Sequence, residues 1–430
     1  MNKNLKNVFI TGFALFSMFF GAGNLIFPPT LGYISGNKWI FTMIGFLITC
    51  ISLPLLGIVS VAKVGGTTDK LTGKVNSKFG NILCSIIMLS IGPLFCVPRT
   101  GATTFEIGVQ PIMPNANPII FSIIYFSITL VFVMNQSNVI DKIGALLTPF
   151  LLISLFIIIL KGIINPIGMP INNNLQNAFS KGFVEGYQTM DALGSIIIGQ
   201  MVVTSFINKG YKTEKEQVDI TIKSGIVSAL CLGLVYGGLL YVGATSSGVF
   251  PKDITRTSLL ISLSESLLGS WGKIILGLSI SIACLTTSIG LTATAGNYFS
   301  ELSKGKLSYK FLVTSICLVS CGIANYGVEN IIKFAVPVLL TAYPIVIVLI
   351  LLSLFDNHIK NKNIYSGAVY VTLIVSIFNS LYSMGIKVPL VTDFVNSLPF
   401  SSQGFSWIIP AFLGGILAKV FTGKKFAVEN

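Results

Sequence analysis

The sequence predicts an all-α membrane protein with about twelve transmembrane helices, and three observations support this prediction. The chain of 430 residues is 53% hydrophobic and only 10% charged, whereas an ordinary soluble domain carries roughly a quarter charged residues. Apolar runs long enough to cross a bilayer recur along the whole chain. The longest polar connections, Asn165–Lys181 and Lys209–Asp219, are too short for a second domain. We therefore expect one membrane domain over residues 1–430.

The predicted spans follow from the need for about 20 mostly apolar residues in each. The first six lie at about 7–35, 38–64, 79–110, 117–136, 143–163 and 182–208. The other six lie at about 220–248, 270–300, 309–326, 331–355, 364–385 and 404–422. Gly and Pro recur inside these runs, which membrane helices tolerate when neighbouring groups re-satisfy the backbone.

The basic charge of the chain fits a membrane protein better than a nucleic-acid-binding protein. Lys and Arg number 28 against 15 Asp and Glu, for a net charge of +13. Lysines are more numerous in the connections on the side of the amino terminus, which predicts that both termini are cytoplasmic. No basic helix interleaved with aromatic residues is present, so no nucleic-acid partner is expected. The lipid bilayer is the expected surrounding, no obligatory protein partner is evident, and no cleavable signal peptide is expected.

The sequence does not predict an enzyme or a disulfide-bonded protein. All seven cysteines fall inside apolar runs, which argues against an extracellular disulfide framework. The single histidine, His358, lies in a polar connection, and the motifs HExxH and GxSxG do not occur. No catalytic residue and no cofactor are therefore expected.

The connection Ser247–Ser270 contains RTSLLISLSESLLGSWG, in which apolar residues recur at three- and four-residue spacing. This pattern predicts a short interfacial helix on the outer face. The alternative is a simple loop.

The first span, FALFSMFFGAGNLIFPPTLG, has the features of an interrupted helix. Gly21 and Gly23 bracket Ala22, and a double proline follows at a distance that suits the start of a new helix. We expect an inner half-helix that ends near Gly21 and an outer half-helix that begins near Asn24, with Asn24 as its cap. The unpaired amides of the outer half-helix would face the bilayer middle and suit an anion. The alternative is a glycine face for helix packing.

The sixth span, GFVEGYQTMDALGSIIIGQMVV, carries an acidic residue about 12 Å inside it, counted at 1.5 Å per residue. A carboxylate at that depth is expensive and indicates function. Gly186, Gly194 and Ser195 lie around this Asp191 and predict a second helix break. Interrupted spans at matching positions of two halves are typical of a transporter binding site.

The eighth span contains IACLTTSIGLTATAG, in which Ala283, Thr286 and Thr287 share one helix face. A carbonyl and two hydroxyls are hard oxygen donors that suit a small alkali cation. The alternative is that each threonine bonds to a carbonyl of its own helix.

In the third span, Arg99 and Glu106 lie two turns apart on the same face. Counted along a straight helix, Arg99 falls in the outer third of the span, which makes the two residues candidate gate residues at an outer vestibule. A structural pair, or side chains that extend to the interface, are the alternatives.

These motifs together resemble those of the branched-chain amino acid:cation symporter (LIVCS) family of bacterial inner membranes. The resemblance rests on the quoted parts of the first, sixth and eighth spans, on LPLLGIVSVAKVGG in the second and on VPRTGATTFEIGVQP in the third. They occur in order over most of the chain. The resemblance implies a LeuT-type fold of two inverted five-helix repeats plus two extra helices. The repeats would cover about 7–163 and 182–355, and the extra helices about 364–422.

The resemblance also implies import of leucine, isoleucine and valine with sodium, or in some relatives protons, as the coupling ion. The substrate carboxylate should meet the amides of Gly21, Ala22, Gly23 and Asn24. The substrate ammonium should meet carbonyls in the segment formed by Met190, Asp191, Ala192, Leu193 and Gly194. The sodium ligands should be Ser17, Phe20, Ala283, Thr286 and Thr287. The carboxylate of Asp191 has no certain counterpart in the general fold.

Three other functions are the alternatives to this one. A channel usually needs a repeated pore motif, and none is visible. A membrane-embedded enzyme needs a nucleophile–base set or a metal cluster, which the sequence lacks. A carrier of another small neutral amino acid on the same fold is the alternative among transporters. The sequence does not decide between sodium and protons.

Overall fold

The computed structural model describes residues 3–21, 23–135, 139–359 and 361–426, and within these ranges it is a helical bundle without strands. In the part of the chain that the structure describes, seven helical segments are long and apolar enough to cross a membrane, and five shorter apolar helices accompany them. The predicted all-α membrane class is confirmed. The count of twelve spans stays a prediction.

Nine α-helices, α1–α9, occupy the described part of the first half of the chain. Their bounds are Lys3–Phe19, Gly23–Ser35, Trp39–Leu47, Leu53–Lys63, Thr68–Thr72, Ser77–Leu89, Cys96–Thr103, Pro118–Asn135 and Val139–Ile164. The π-helical segments Ile48–Ser52 and Ser90–Leu94 lie between α3 and α4 and between α6 and α7, and a third, Thr104–Val109, extends α7.

Ten further helices, α10–α19, occupy the described part of the second half. Their bounds are Ala178–Glu185, Asp191–Asn208, Glu214–Thr245, Arg256–Leu268, Ser270–Leu302, Tyr309–Ala324, Val328–Leu354, Asn363–Ser383, Val391–Ser397 and Ile408–Phe426. Helix α12 begins well before the predicted span start at 220, because Thr213 and Glu216 form a reciprocal capping box in the polar connection.

The helix predicted between residues 247 and 270 is confirmed as α13. It begins at Thr255, whose hydroxyl accepts a hydrogen bond from the Ser258 amide at 3.2 Å. Its leucines are buried in the protein, including Leu259, Leu260 and Leu263. Helix α13 therefore packs against the bundle, where it contacts α2, α9 and α14.

Glycines let two pairs of helices cross with their backbones in contact. A Cβ atom at Gly32 would lie 1.8 Å from a carbonyl oxygen of α12, and one at Gly243 would lie 2.0 Å from a carbonyl oxygen of α2. Gly45 of α3 and Gly182 of α10 approach in the same reciprocal way, with corresponding distances of 2.1 and 2.0 Å. Small residues at such crossings are typical of membrane bundles, where close packing takes the place of the hydrophobic effect.

Both predicted helix breaks are confirmed. Helix α1 ends at Phe19 and α2 begins at Gly23, so the first apolar run is interrupted where its glycines lie. Helix α10 ends at Glu185 and is followed by the 3₁₀ turn Gly186–Thr189. Met190 then takes a left-handed conformation (φ 61°), and α11 begins at the next residue. The two breaks meet inside the bundle.

Candidate functional site

Asn24 connects the two helix breaks. It is 2% exposed, and its Nδ2 donates to the Phe19 carbonyl oxygen at 2.6 Å and to the Asp191 carboxylate at 2.8 Å. The hydroxyl of Tyr236 on α12 lies 2.8 Å from the same nitrogen. The prediction that Asn24 caps α2 is wrong. Asn24 is the second residue of that helix, and its side-chain nitrogen Nδ2 donates to Phe19 on the other side of the break. Asn24 instead holds the facing ends of α1, α2 and α11 together.

Asp191 is the first residue of α11 and is partly exposed. A negative charge is favoured at a helix N-terminus, because the unpaired amides there carry positive partial charge. The Met190 carbonyl accepts a hydrogen bond from the Gly194 amide at 2.9 Å, so this segment already forms the first turn of α11.

This geometry corrects one predicted contact. The start of a helix offers free amides, whereas free carbonyls belong to its end. The expectation that carbonyls of residues 190–194 meet an ammonium group therefore does not fit the structure, and Ala192 and Leu193 are fully buried. Within this segment, the carboxylate of Asp191 is the group suited to an ammonium ion.

Arg99 lies between the two breaks rather than at an outer vestibule. It is 3% exposed, and its Nη1 donates to the Gln188 carbonyl oxygen at 2.9 Å. A Cβ atom at Gly23 would lie 2.4 Å from Nη2, so the guanidinium rests against the start of α2. The predicted position was wrong because the third span is not a straight helix. It kinks at Gly92 (φ −88°, ψ −116°) and contains two π-helical segments.

Glu106 does not pair with Arg99. Its carboxylate accepts hydrogen bonds from the Thr257 hydroxyl at 2.7 Å and from the Val328 amide at 2.9 Å. It therefore connects the third span to the starts of α13 and α16. A gate role for Arg99 and Glu106 stays a prediction.

A charged cluster that the sequence analysis missed lies beyond Phe27. We call Arg256, Glu185 and Glu329 the Arg256 cluster. The guanidinium contacts Glu185 at 2.8 Å and Glu329 at 2.5 Å, and thereby joins α13 to α10 and α16. The Phe27 ring of α2 separates this cluster from Arg99, with the two guanidinium carbons 6.0 and 5.3 Å from its centroid. The sequence did not predict this cluster, because Arg256 is a single arginine in a polar connection and its partners are distant in sequence.

The residues of the predicted cation site lie around the end of α1. The Thr286 hydroxyl donates to the Ala283 carbonyl at 3.0 Å, as the alternative interpretation expected. The Thr287 hydroxyl faces the first break, since a Cβ atom at Gly21 would lie 3.9 Å from its oxygen. Ser17 is exposed on α1.

The donor set fits a small cation, although the ion-binding role itself stays a prediction. Among the described residues, the Gly21 amide donates to the Phe19 carbonyl at 3.0 Å instead of to Ser17, four residues back. This leaves the Ser17 carbonyl without its usual helical partner, and Phe20 lies beyond the end of α1. Hydroxyl and carbonyl oxygens are the ligands that hard cations prefer. Ala22, named for the carboxylate, lies outside the described residues.

The two sides of the junction differ in exposure. Asn24, Phe27 and Arg99, on the side of α2, are buried. Gly21 and Thr287, on the side of α1, are partly exposed, as is Asp191. Phe20, beyond the end of α1, is nevertheless buried, and Gly23, at the start of α2, is partly exposed, so the difference holds for most but not all of these residues.

Comparisons with known sequences give one consistent result. A family model described as "Branched-chain amino acid transport protein" matches residues 4–425. The chain is 40% identical to the branched-chain amino acid permease BraB of Bacillus subtilis (strain 168) over 429 residues, which cover 97% of this chain and 96% of that protein. It is 34% identical to the branched-chain amino acid transport system 2 carrier protein of Pseudomonas aeruginosa, with 95% and 94% covered.

Comparisons with solved structures agree on the fold. The inward-facing conformation of Mhp1 matches with a TM-score of 0.64 at 13% identity, covering 97% of this chain and 91% of that one. A substrate-bound, outward-open Na⁺-coupled sialic acid symporter matches with a TM-score of 0.59 at 14% identity, covering 96% and 90%. The chain shares the fold of these transporters.

Proposed function

The chain belongs to the branched-chain amino acid transport protein family, and from that premise we propose that it imports leucine, isoleucine and valine by symport with sodium or protons. It is a multi-pass membrane transporter and not an enzyme. The observation that carries the proposal is the junction of two broken helices, where Asp191 and Arg99 place opposite charges around Asn24. Such a junction suits a zwitterion, which has one group of each sign.

The proposed architecture is a 5+5 inverted repeat of about 7–163 and 182–355, with two extra helices over about 364–422. Two pairs of matched features support it. The first and sixth spans are both broken, and the half-helix after the first break, α2, crosses α12 through Gly32 and Gly243. The half-helix after the second break, α11, packs in the corresponding way against α4, where a Cβ atom at Gly57 would lie 2.0 Å from the Ser195 hydroxyl oxygen.

The proposed transport cycle is alternating access around the junction. The chain would lie in a bacterial plasma membrane with both termini in the cytoplasm, as the lysine distribution favours. The α2 side would then face outward, and the ion pairs of the Arg256 cluster, which join α13 to α10 and α16, would hold that side closed. Opening outward requires these ion pairs to separate while the α1 side closes.

The proposed substrates are amino acids with uncharged side chains, and apolar side chains of several shapes should be accepted. Leucine, isoleucine and valine should compete with one another within about tenfold, because one methylene in an apolar pocket changes binding by only about 1–3 kcal/mol. Lysine and glutamate should fail to compete, since their side chains would bury an unpaired charge. Competition with labelled leucine uptake measures this range. Strong displacement by lysine or glutamate would contradict it, and preferred displacement by alanine or serine would favour the alternative carrier of another neutral amino acid.

The proposed coupling site predicts a specific change in sodium dependence. Thr286→Ala combined with Thr287→Ala should raise the sodium concentration for half-maximal leucine uptake by tenfold or more, which needs only about 1.4 kcal/mol. Leucine affinity should largely recover at very high sodium, because the ion acts by favouring the form that binds substrate.

The matched control for this double variant is Thr294→Ala. Thr294 lies on the same helix, is partly exposed like Thr286 and Thr287, and bonds to the Gly290 carbonyl at 2.8 Å, but it is seven residues beyond Thr287. Its replacement should leave sodium dependence unchanged. An unchanged sodium response in the double variant would move the ion site elsewhere or favour the proton.

A further inference from the structure

Among the residues that the structure describes, Arg99 forms no ion pair with a carboxylate, unlike Arg256. Arg256 contacts two carboxylates. None of the ion pairs formed within the described ranges involves Arg99, although it is only 3% exposed. A buried charge is stabilised most by an opposite charge in direct contact with it. Asp191 shares the junction with Arg99 but forms no ion pair with it, so the Arg99 guanidinium can still take an anion in direct contact.

The N-terminus of α2 adds positive partial charge next to Arg99, which further favours an anion at this place. The guanidinium lies against Gly23, where an added Cβ atom would be 2.4 Å from Nη2 and 2.9 Å from Cζ. A helix N-terminus carries positive partial charge and unpaired amides. Two positive groups in contact repel each other unless an anion lies with them. Glycine at position 23 leaves room for the guanidinium in this place.

The hydrogen bonds that hold Arg99 leave one nitrogen of its guanidinium, Nη2, available for another acceptor. Nη1 is fixed by the Gln188 carbonyl at 2.9 Å, whereas Nη2 has the Cys96 sulfur at 3.5 Å as its partner. A thiol is a weak acceptor, and a carboxylate is a much stronger one. Nη2 can therefore exchange the sulfur for a carboxylate oxygen without losing the bond that positions the side chain.

We infer that Arg99 binds the carboxylate of the transported amino acid, while Asp191 binds its ammonium group. The inference rests on the proposed function and adds the side chain that selects for a carboxylate. Arg99 and Asp191 flank Asn24 and the start of α2, so the two ends of a zwitterion meet opposite charges at one junction. An amine without a carboxylate would leave the Arg99 guanidinium without an anion in contact.

The test compares leucine with 3-methylbutylamine, which is leucine without its carboxylate, as ligands of the purified carrier. Arg99→Gln should weaken leucine binding by about a hundredfold, which corresponds to two decades of about 1.4 kcal/mol each. The same variant should change amine binding by less than about threefold, less than half of one such decade. Arg99→Lys should lie between, because lysine keeps the charge but lacks the planar fork. A purely structural role would weaken both ligands equally.

A second pair of variants tests the position of the guanidinium without removing it. Gly23→Ala should displace Nη2 and weaken leucine binding by about tenfold, one decade of binding energy. Gly322→Ala is the matched control, because a Cβ atom there meets nothing within 4 Å. If Arg99→Gln does not fold, Arg99→Lys and Gly23→Ala provide the comparison.

The outcomes separate the inference from the proposed function. One outcome is that the wild-type carrier binds and transports leucine while the Arg99 variants keep their leucine affinity or lose both ligands equally. That result would overturn the role of Arg99 and leave the proposed function standing. Wild-type carrier that neither binds nor transports leucine would overturn the proposed function and the inference with it.

Discussion

Asp191→Asn should reduce accumulation of leucine by a hundredfold or more while leaving the amount of carrier in the membrane unchanged. The asparagine oxygen can still accept the hydrogen bond that Asn24 donates to Asp191 at 2.8 Å, so the junction should keep its shape. What is lost is the negative charge that we propose to bind the substrate ammonium. Removing one partner of a buried charge pair costs about 2–5 kcal/mol, and about 2.8 kcal/mol corresponds to a hundredfold. Uptake of labelled leucine and quantification of the carrier in the same membranes measure both quantities.

Asp219→Asn is the matched control for the loss of a carboxylate. Asp219 is exposed on α12 and pairs with Lys223 at 2.6 Å, away from the junction. Its replacement should change uptake little, because exposed ion pairs contribute at most about 1 kcal/mol. If Asp191→Asn carrier is normally abundant and accumulates leucine normally, then Asp191 neither binds the ammonium group nor carries a coupling proton. A poorly inserted variant would indicate a structural role.

Arg256→Gln should open the outer side of the carrier and impair net uptake. The substitution leaves Glu185 and Glu329 without the guanidinium that joins them, so the form closed on the α2 side loses stability. A shift of about 1.4 kcal/mol changes the ratio of the two forms tenfold. Cys96, which contacts Arg99 at the junction, should then react at least about tenfold faster with an impermeant thiol reagent added from outside.

Two comparisons make the Arg256 experiment specific. Lys273→Gln breaks the ion pair with Glu265 at 2.7 Å on the neighbouring helices and should leave Cys96 labelling unchanged. The remaining cysteines, followed by peptide mass spectrometry in the same sample, report any general unfolding. Unchanged labelling of Cys96 in Arg256→Gln carrier would show that the Arg256 cluster does not hold the outer side closed.

The helix breaks were predictable because their causes are local. A helix is interrupted where nearby residues weaken the backbone ladder, and the glycines and double proline of the first span do so within a few positions. The depth of Asp191 inside an apolar run was also a local signal. The helix over 256–268 followed from its spacing alone.

The partners across the bundle could not be predicted in this way. Asn24 bonds to Tyr236 and Asp191, which are distant in sequence, and nothing in the neighbourhood of Asn24 encodes either contact. The position of Arg99 was predicted wrongly, because counting along a straight helix ignores the kink at Gly92. Such contacts depend on how whole helices pack, and a short motif contains no record of that packing.

Uptake by purified carrier in proteoliposomes, with sodium and pH gradients imposed separately, tests whether transport of leucine is coupled to a cation. A cation symporter uses the gradient of its coupling ion to move substrate uphill, so leucine should accumulate above its external concentration under one of the two gradients. Collapse of that gradient with an ionophore should return leucine to equilibrium. If leucine binds and crosses the membrane but only equilibrates under both gradients, the protein is not a cation symporter. That result would indicate a channel or a uniporter.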